Sequence, residues 1–324
     1  MPTTPHPSRR TAARVHAALL LMVGLLATLP AVAARPPAAQ PVRLSRAVAD
    51  SLRAAHERDR ADAAQSLRTS PTSYLAAIAR TDFAERTSLV LGRAADADLR
   101  VNDPEVASRH LRVTVVGDSF RVEALDDTAH FRPRNGEPTR LAMLPPTFIR
   151  VGRFTVRLSH QRYPALIVFD PVSPHFADYR GLSWYPVDLD YRFEVPLTPN
   201  PNADTTVIMS TRGNARRAVL AGWFDLRVKG RAVRLEAHRL LEPGVDERSV
   251  SVFFRDATTG RETYGVGRYI DPERLPDGRW LLDFNAAYNP ACAVSPHYNC
   301  PIPSAGNTLR VAIRAGEKGS HYTH

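Results

Sequence analysis

The chain has 324 residues, enough for about two domains at roughly 150 residues each. Its formal charge of +10 is almost wholly arginine, because Lys229 and Lys318 are the only lysines. Those arginines are scattered, with no basic cluster and no basic helix face, which argues against a nucleic-acid binder; 27 prolines against 17 glycines argue against a protein of long helices.

Residues 1–33 read as a secretory signal. Arg9, Arg10 and Arg14 form a positive n-region, Ala17–Leu29 is an apolar run, and Ala31-Val32-Ala33 is a small-residue cleavage site. The run is short for a membrane span. The mature protein is therefore expected to be exported, periplasmic or extracellular, with no transmembrane segment after cleavage. Ser8-Arg9-Arg10 leaves general and twin-arginine export both open.

Residues 34–80 read as a spacer and a helical arm. Arg35–Pro41 is proline-rich. Leu44, Val48, Leu52 and Ala55 recur at helical spacing, which predicts a helix over Val42–Arg68 that Pro71 stops. Ser73–Ile78 is expected to add a short second helix.

Residues 81–160 shorten to strands and turns. Ser88–Leu91, Leu99–Val101, Leu111–Val115, Phe120–Ala124, Phe148–Val151 and Phe154–Leu158 alternate or run apolar, separated by Gly117-Asp118, Asp126-Asp127, Asn135-Gly136 and Pro145-Pro146. That spacing predicts a β-sandwich. Gly92-Arg93, the turn Asp103-Pro104-Glu105-Val106, His110 and Asn135-Gly136 follow in an order that resembles a forkhead-associated domain. In that family the Gly-Arg arginine and a serine three residues before the histidine grip a phosphothreonine, so the resemblance implies phosphopeptide binding through Arg93. Here that serine position holds Ala107, and Ser108 lies next to it.

Residues 161–318 read as a second, antiparallel β-module, a barrel or a sandwich, with 319–324 as a tail. His160–Pro171 is expected to bring linker and first strand. Tyr191–Leu197, Thr205–Thr211, Ala218–Val228, Ala232–Leu241, Ser249–Arg255, Glu262–Ile270, Trp280–Phe284 and Leu309–Arg314 complete it, with Lys229-Gly230 as a hairpin turn. Phe253–Ile270, Leu282–Cys292, Cys300–Pro303 and Asn307–Lys318 resemble an uncharacterised group, domain-of-unknown-function family 1684. That resemblance implies that the modules act as one unit and brings no reaction with it. The whole is expected to be mainly β: a helical arm, a forkhead-associated-like sandwich, then the C-terminal module.

The candidate site is the loop Asp283–Cys300, dense in polar and ring-constrained residues. Cys292 and Cys300, with seven residues between them, are expected to form a disulfide in an exported protein; a metal site of Cys292, His297 and Cys300, suited to zinc, is the alternative. Asp283 and Asn285 share one strand face, and with Tyr288, Asn289 and His297 they can line a pocket. Asp283 and His297 are the candidate acid–base pair of a hydrolase. Arg268, on the neighbouring strand, can bind an anion or pair with Asp283 or Asp271. The favoured reading is a non-catalytic binding or envelope-associated protein that needs no cofactor, with a small molecule or envelope component as partner. A hydrolase and a phosphopeptide binder using Arg93 and Ser108 are the alternatives.

Overall fold

The computed structural model describes residues 37–242 and 245–319. The expected signal segment and residues 320–324 of the tail lie outside these. Helix α1 (Arg46–Thr69) opens on Ser45, whose hydroxyl accepts from the Val48 amide, and closes at Ser70 before Pro71. The face it turns inward is not the aliphatic one expected. Val48 is 47% exposed, and the line that packs runs Ala49, Leu52, His56, Arg60, Ala64, Leu67, with polar residues at its centre. A single turn of 3-10 helix, Tyr74–Ala76, replaces the second helix expected there.

The sandwich follows. Its strands are β1 (Ala77–Asp82), β2 (Ser88–Gly92), β3 (Leu99–Arg100), β4 (Leu111–Val116), β5 (Ser119–Ala124), β6 (Arg132–Pro133), β7 (Leu141–Leu144), β8 (Thr147–Val151), β9 (Phe154–His160) and β10 (Pro164–Phe169). One sheet runs β1-β10-β9-β8-β6 and the other β3-β2-β4-β5-β7. Leu89, Val113 and Phe120 of one sheet share a core with Ile149, Val156 and Leu166 of the other. Strand β10, expected to open the next module, instead pairs along its length with β9 and β1. The apolar run Ala165–Phe169 is the mark of a strand buried on both faces.

The C-terminal module is a set of small sheets. Its strands are β11 (Arg192–Val195), β12 (Thr198–Pro199), β13 (Thr205–Met209), β14 (Ala215–Val228), β15 (Arg231–Leu240), β16 (Val252–Phe254), β17 (Arg268–Ile270), β18 (Glu273–Arg274) and β19 (Trp280–Asp283). They form β11-β19-β18, then β12-β14-β13 with β15 on β14, then the pair β16-β17. The sheets stay open, so among the described residues no barrel closes. Lys229 and Gly230, both at positive φ, make the expected two-residue turn between β14 and β15. Phe193, Phe224, Leu235, Phe254, Leu282 and Phe284 fill the core of this module.

Leu309–Arg314 does not form the strand expected of it. It runs as irregular chain held by backbone bonds to Arg255 (2.8 Å) and Ala257 (3.2 Å) at one end and by side chains at the other. The Arg268 guanidinium, 1% exposed, donates to the carbonyls of Ile313 (2.8 Å), Ala315 and Glu317 (3.2 Å) and to Asp256 Oδ2 (3.2 Å). Asp256 in turn accepts from the Ile313 amide at 2.6 Å. Next to this clamp Gly316, at φ 79°, passes so close to the Phe284–Ala287 turn that a Cβ would sit 2.6 Å from two backbone oxygens. Replacing Arg268 by Leu strips three carbonyls and a buried carboxylate of their donor. A loss of about 3–5 kcal/mol is expected in chemical denaturation. Arg268→Lys is expected to recover little of it, because an ammonium lacks the planar fork that reaches several carbonyls at once.

Candidate functional site

Asp283 ends β19 and is the hub of the expected loop. One carboxylate oxygen accepts from the Asn285 amide and side chain, each at 2.9 Å; the other accepts from His56 Nε2 (3.1 Å) and Arg192 Nη1 (2.9 Å). Burial pushes its pKa up, but the bonds from His56 and Asn285 and the charge at His56 outweigh that, so Asp283 is held below the usual carboxylate range. Asn285 is equally committed: it donates to and accepts from the backbone of Asp188, both at 2.9 Å. These two residues dock α1 and the Asp188 turn onto β19.

His297 is not among the partners of Asp283. Its backbone carbonyl accepts from Arg80 at 3.1 Å. Arg268, expected to bind an anion or pair with Asp283 or Asp271, pairs instead with Asp256 and is fully enclosed. Cys292 and Cys300 are buried neighbours that the structure carries as free thiols rather than as a disulfide. The Cys292 amide donates to Cys300 Sγ at 3.3 Å. The hydrogen bond with Cys292, and burial, push the Cys300 thiol up, whereas the bonds from Cys300 and Tyr264 draw Cys292 down. Among the described residues no three His, Cys, Asp or Glu side chains come together to hold a metal, Cys292, His297 and Cys300 included.

Tyr288 and Asn289 do meet at a cavity. It measures about 410 Å3 and lies where α1 and the Ser70–Tyr74 turn face the loop. Leu67, Leu182 and Val294 give it an apolar side; Tyr74, Trp184 and Tyr288 give it three rings. The Asn289 amide donates to Glu317 Oε2 at 2.8 Å, and its Nδ2 donates to the Lys318 carbonyl at 2.6 Å, which fixes the orientation of the side-chain amide. Asn289 Oδ1 is then left buried without a partner, and so is Ser73 Oγ across the wall. Burial pushes the Glu317 carboxyl up to about 7, against the bonds from Asn289.

A second cavity, about 760 Å3, opens at the sandwich and includes Arg93, Ser108, Thr128 and Arg150. His110 holds its rim. Nδ1 accepts from the Ala107 amide (3.1 Å) and Nε2 donates to the His130 carbonyl (3.0 Å); burial lowers its pKa. Gly92 packs against this rim, where a Cβ would fall 2.2 Å from the Ser108 carbonyl oxygen. Arg93 gives its Nε to the Val106 carbonyl and is otherwise exposed.

Sequence reasoning missed His56, Arg60, Ser73, Trp184 and Glu317. The signal for the first two was present: Leu52, His56, Arg60 and Ala64 sit four apart on one helix face. No local pattern marked Glu317, whose burial depends on the clamp.

A family model described as "Protein of unknown function (DUF1684)" matches residues 177–318. No curated protein matches the chain. Among solved structures, the uncharacterized protein from gene locus rrnAC0354 of Haloarcula marismortui is 35% identical, over 46% of this chain and 82% of that one, with a TM-score of 0.37. The FhaA FHA domain, solved with the intracellular domain of Rv3910, is 25% identical over 25% of this chain and 78% of its own, with a TM-score of 0.19. Mycobacterium tuberculosis EmbR, in complex with a low affinity phosphopeptide, is 15% identical over 39% of this chain and 32% of its own, at 0.21.

Two outcomes follow from the carboxylates. Asp283→Asn removes the charge that His56 and Arg192 share; stability is expected to fall by about 3 kcal/mol, with faster amide exchange across α1. Glu317 has the opposite sign. Its folded pKa of about 7 lies above the ordinary 4.5, so the native state binds the extra proton and stability falls as pH rises between those values. Glu317→Gln is expected to be more stable than the parent at about pH 8 and no more stable below about pH 4.5 in thermal unfolding.

Proposed function

The chain belongs to this family of proteins of unknown function, and we propose that it is an exported, non-catalytic binding protein that holds a small molecule or envelope component in the cavity between α1 and the Tyr288–Val294 segment. The observation that carries the reading is a cavity of about 410 Å3 with three rings and Glu317 in its lining, two of whose lining residues, Asn289 and Ser73, hold a buried, unpartnered polar atom. Such atoms are rare in folded proteins and cost about 1–3 kcal/mol each unless a ligand or water answers them. The cavity is concave, mixed in polarity, and within the size range of small-ligand sites.

A hydrolase built on Asp283 and His297 has less support. Four hydrogen bonds to structural partners occupy Asp283, and neither residue lines this cavity. Export rests on the n-region, apolar run and cleavage site of residues 1–33. In an oxidising compartment the adjacent thiols of Cys292 and Cys300 are expected to close into a disulfide, seen as a loss of about two daltons in intact mass and resistance to alkylation. Two alkylatable thiols in protein recovered from the periplasm or medium count against that pairing.

A phosphorylated peptide is the second reading, favoured by Arg93 and Ser108 bordering one cavity with Arg150. The fork of an arginine and a hydroxyl suit phosphate oxygens. Arg93→Ala is expected to abolish capture of phosphothreonine peptides; unchanged capture ends this reading.

For the main cavity, Ala63 on α1 is exposed at its margin. A fragment screen by ligand-observed NMR is expected to return hits that compete for one site and vanish in Ala63→Trp, whose indole fills the space. Hits that survive the substitution, or no hits at all, overturn the assignment.

A further inference from the structure

We infer that the ligand of this cavity is an organic cation, a protonated amine carried on an apolar or aromatic body. The inference rests on the cavity reading above and goes beyond it by fixing the charge of the ligand. Among the described residues Glu317 is the one charged side chain in the wall, and no Arg, Lys or His lines it. That is a marked departure for a chain whose formal charge is +10.

The residues bordering the cavity include side chains that can accept from N–H donors. Glu317 keeps carboxylate capacity beyond the bonds it accepts from Asn289. Asn289 Oδ1 has no donor, because the Nδ2 of the same amide is committed to the Lys318 carbonyl. Ser73 Oγ is unanswered as well. An ammonium brings up to three donors and no acceptor, which matches a wall of acceptors. Tyr74, Trp184 and Tyr288 add the faces that attract a desolvated cation. An anion meets a carboxyl and no basic group. A purely apolar ligand leaves Asn289 Oδ1 and Ser73 Oγ without partners.

The charges around Glu317 have other partners, save that Arg60 Nε and Nη2 are buried without one. The Arg268 guanidinium gives its donors to the backbone, including the Glu317 carbonyl, and to Asp256. Lys318 lies over the Tyr185 ring at 5.1 Å. Arg60 stacks on Trp184 at 5.0 Å and pairs with Glu57 at 3.1 Å. The phenols of Tyr74 and Tyr179, which Glu317 also influences, are pushed up by burial and stay neutral. Burial holds the Glu317 carboxyl up, at about 7. An ammonium displaces the carboxyl proton, so binding weakens as pH falls through about 7.

The test uses three probes of one shape: benzylamine, benzyl alcohol and benzoate. Each is titrated into the mature protein by calorimetry at about pH 8.5 and about pH 5.5. Benzylamine, cationic at both, is expected to bind at least about tenfold more tightly than the alcohol at the higher pH and to lose about tenfold or more at the lower. Benzoate is expected not to bind. Glu317→Gln is expected to erase the preference and the pH dependence while still binding the alcohol. Equal binding of amine and alcohol, or tighter binding of benzoate, overturns the cation and leaves the cavity reading standing. Binding of none of the three overturns the cation too, and the NMR screen with Ala63→Trp then decides the cavity separately.

Discussion

One buried guanidinium supplies the hydrogen bonds that a neighbouring strand supplies elsewhere in this fold. The carbonyls that accept from Arg268 belong to Ile313, Ala315 and Glu317, alternate residues of the irregular segment. Asp256 completes the device by accepting from both Arg268 and the Ile313 amide. Buried charges of this kind add little over a well-packed apolar replacement, yet removing one partner is costly. What they give here is placement. With residues 313–317 fixed on one side by Arg268 and on the other by the Tyr185 amide to the Gly316 carbonyl (3.0 Å) and the Trp184–Glu317 bridge, the Glu317 side chain has one place to go, the cavity wall.

Asp283 plays a comparable part for α1. A helix whose inward line carries His56 and Arg60 at its centre cannot dock by hydrophobic burial alone. Leu67 supplies an apolar anchor at one end, against Leu75 and Tyr179. The middle is held by His56 on Asp283, by Arg60 on the Trp184 face, and by the Tyr179 hydroxyl donating to the Ala64 carbonyl at 3.3 Å. A polar seam between rigid sheets and a helix packs less completely than a core. The cavity lies along this seam.

Most of the fold was legible in the sequence because its strands obey local rules. The six strand segments read between Ser88 and Leu158 have counterparts in the sandwich, and Lys229-Gly230 turns the β14–β15 hairpin. The failures share a cause. Ala77–Asp82 and Pro164–Phe169 are far apart in sequence and are strands because they pair with each other; no local pattern states that. Leu309–Arg314 has the alternation of a strand but finds a side chain where a strand was expected. The polar density of the loop did not separate its residues by surroundings. Asp283, Asn285 and Arg268 bond to neighbouring segments, while Tyr288 and Asn289 border space. That division is set by Glu317, Ser73 and Trp184, contributed from three other parts of the chain.

The charge distribution bears on how such a cavity can work. A net positive protein repels a cationic ligand at long range, and that field is cut off over about 8 Å at physiological salt. Attraction must then come from contact inside the site, where a buried carboxyl acts through a medium far less polarisable than water. Glu317 has that position: 5% exposed, with Arg268 on carbonyls and Asp256, Lys318 over the Tyr185 ring, and Arg60 on Glu57 through one nitrogen. A carboxyl at the surface of this arginine-rich chain pairs readily with a neighbour, as Asp98 does with Arg86 and Glu262 with Arg314. One walled off by Tyr74, Trp184 and Tyr288 is not answered that way, and its free acceptor capacity is the property that a ligand can read.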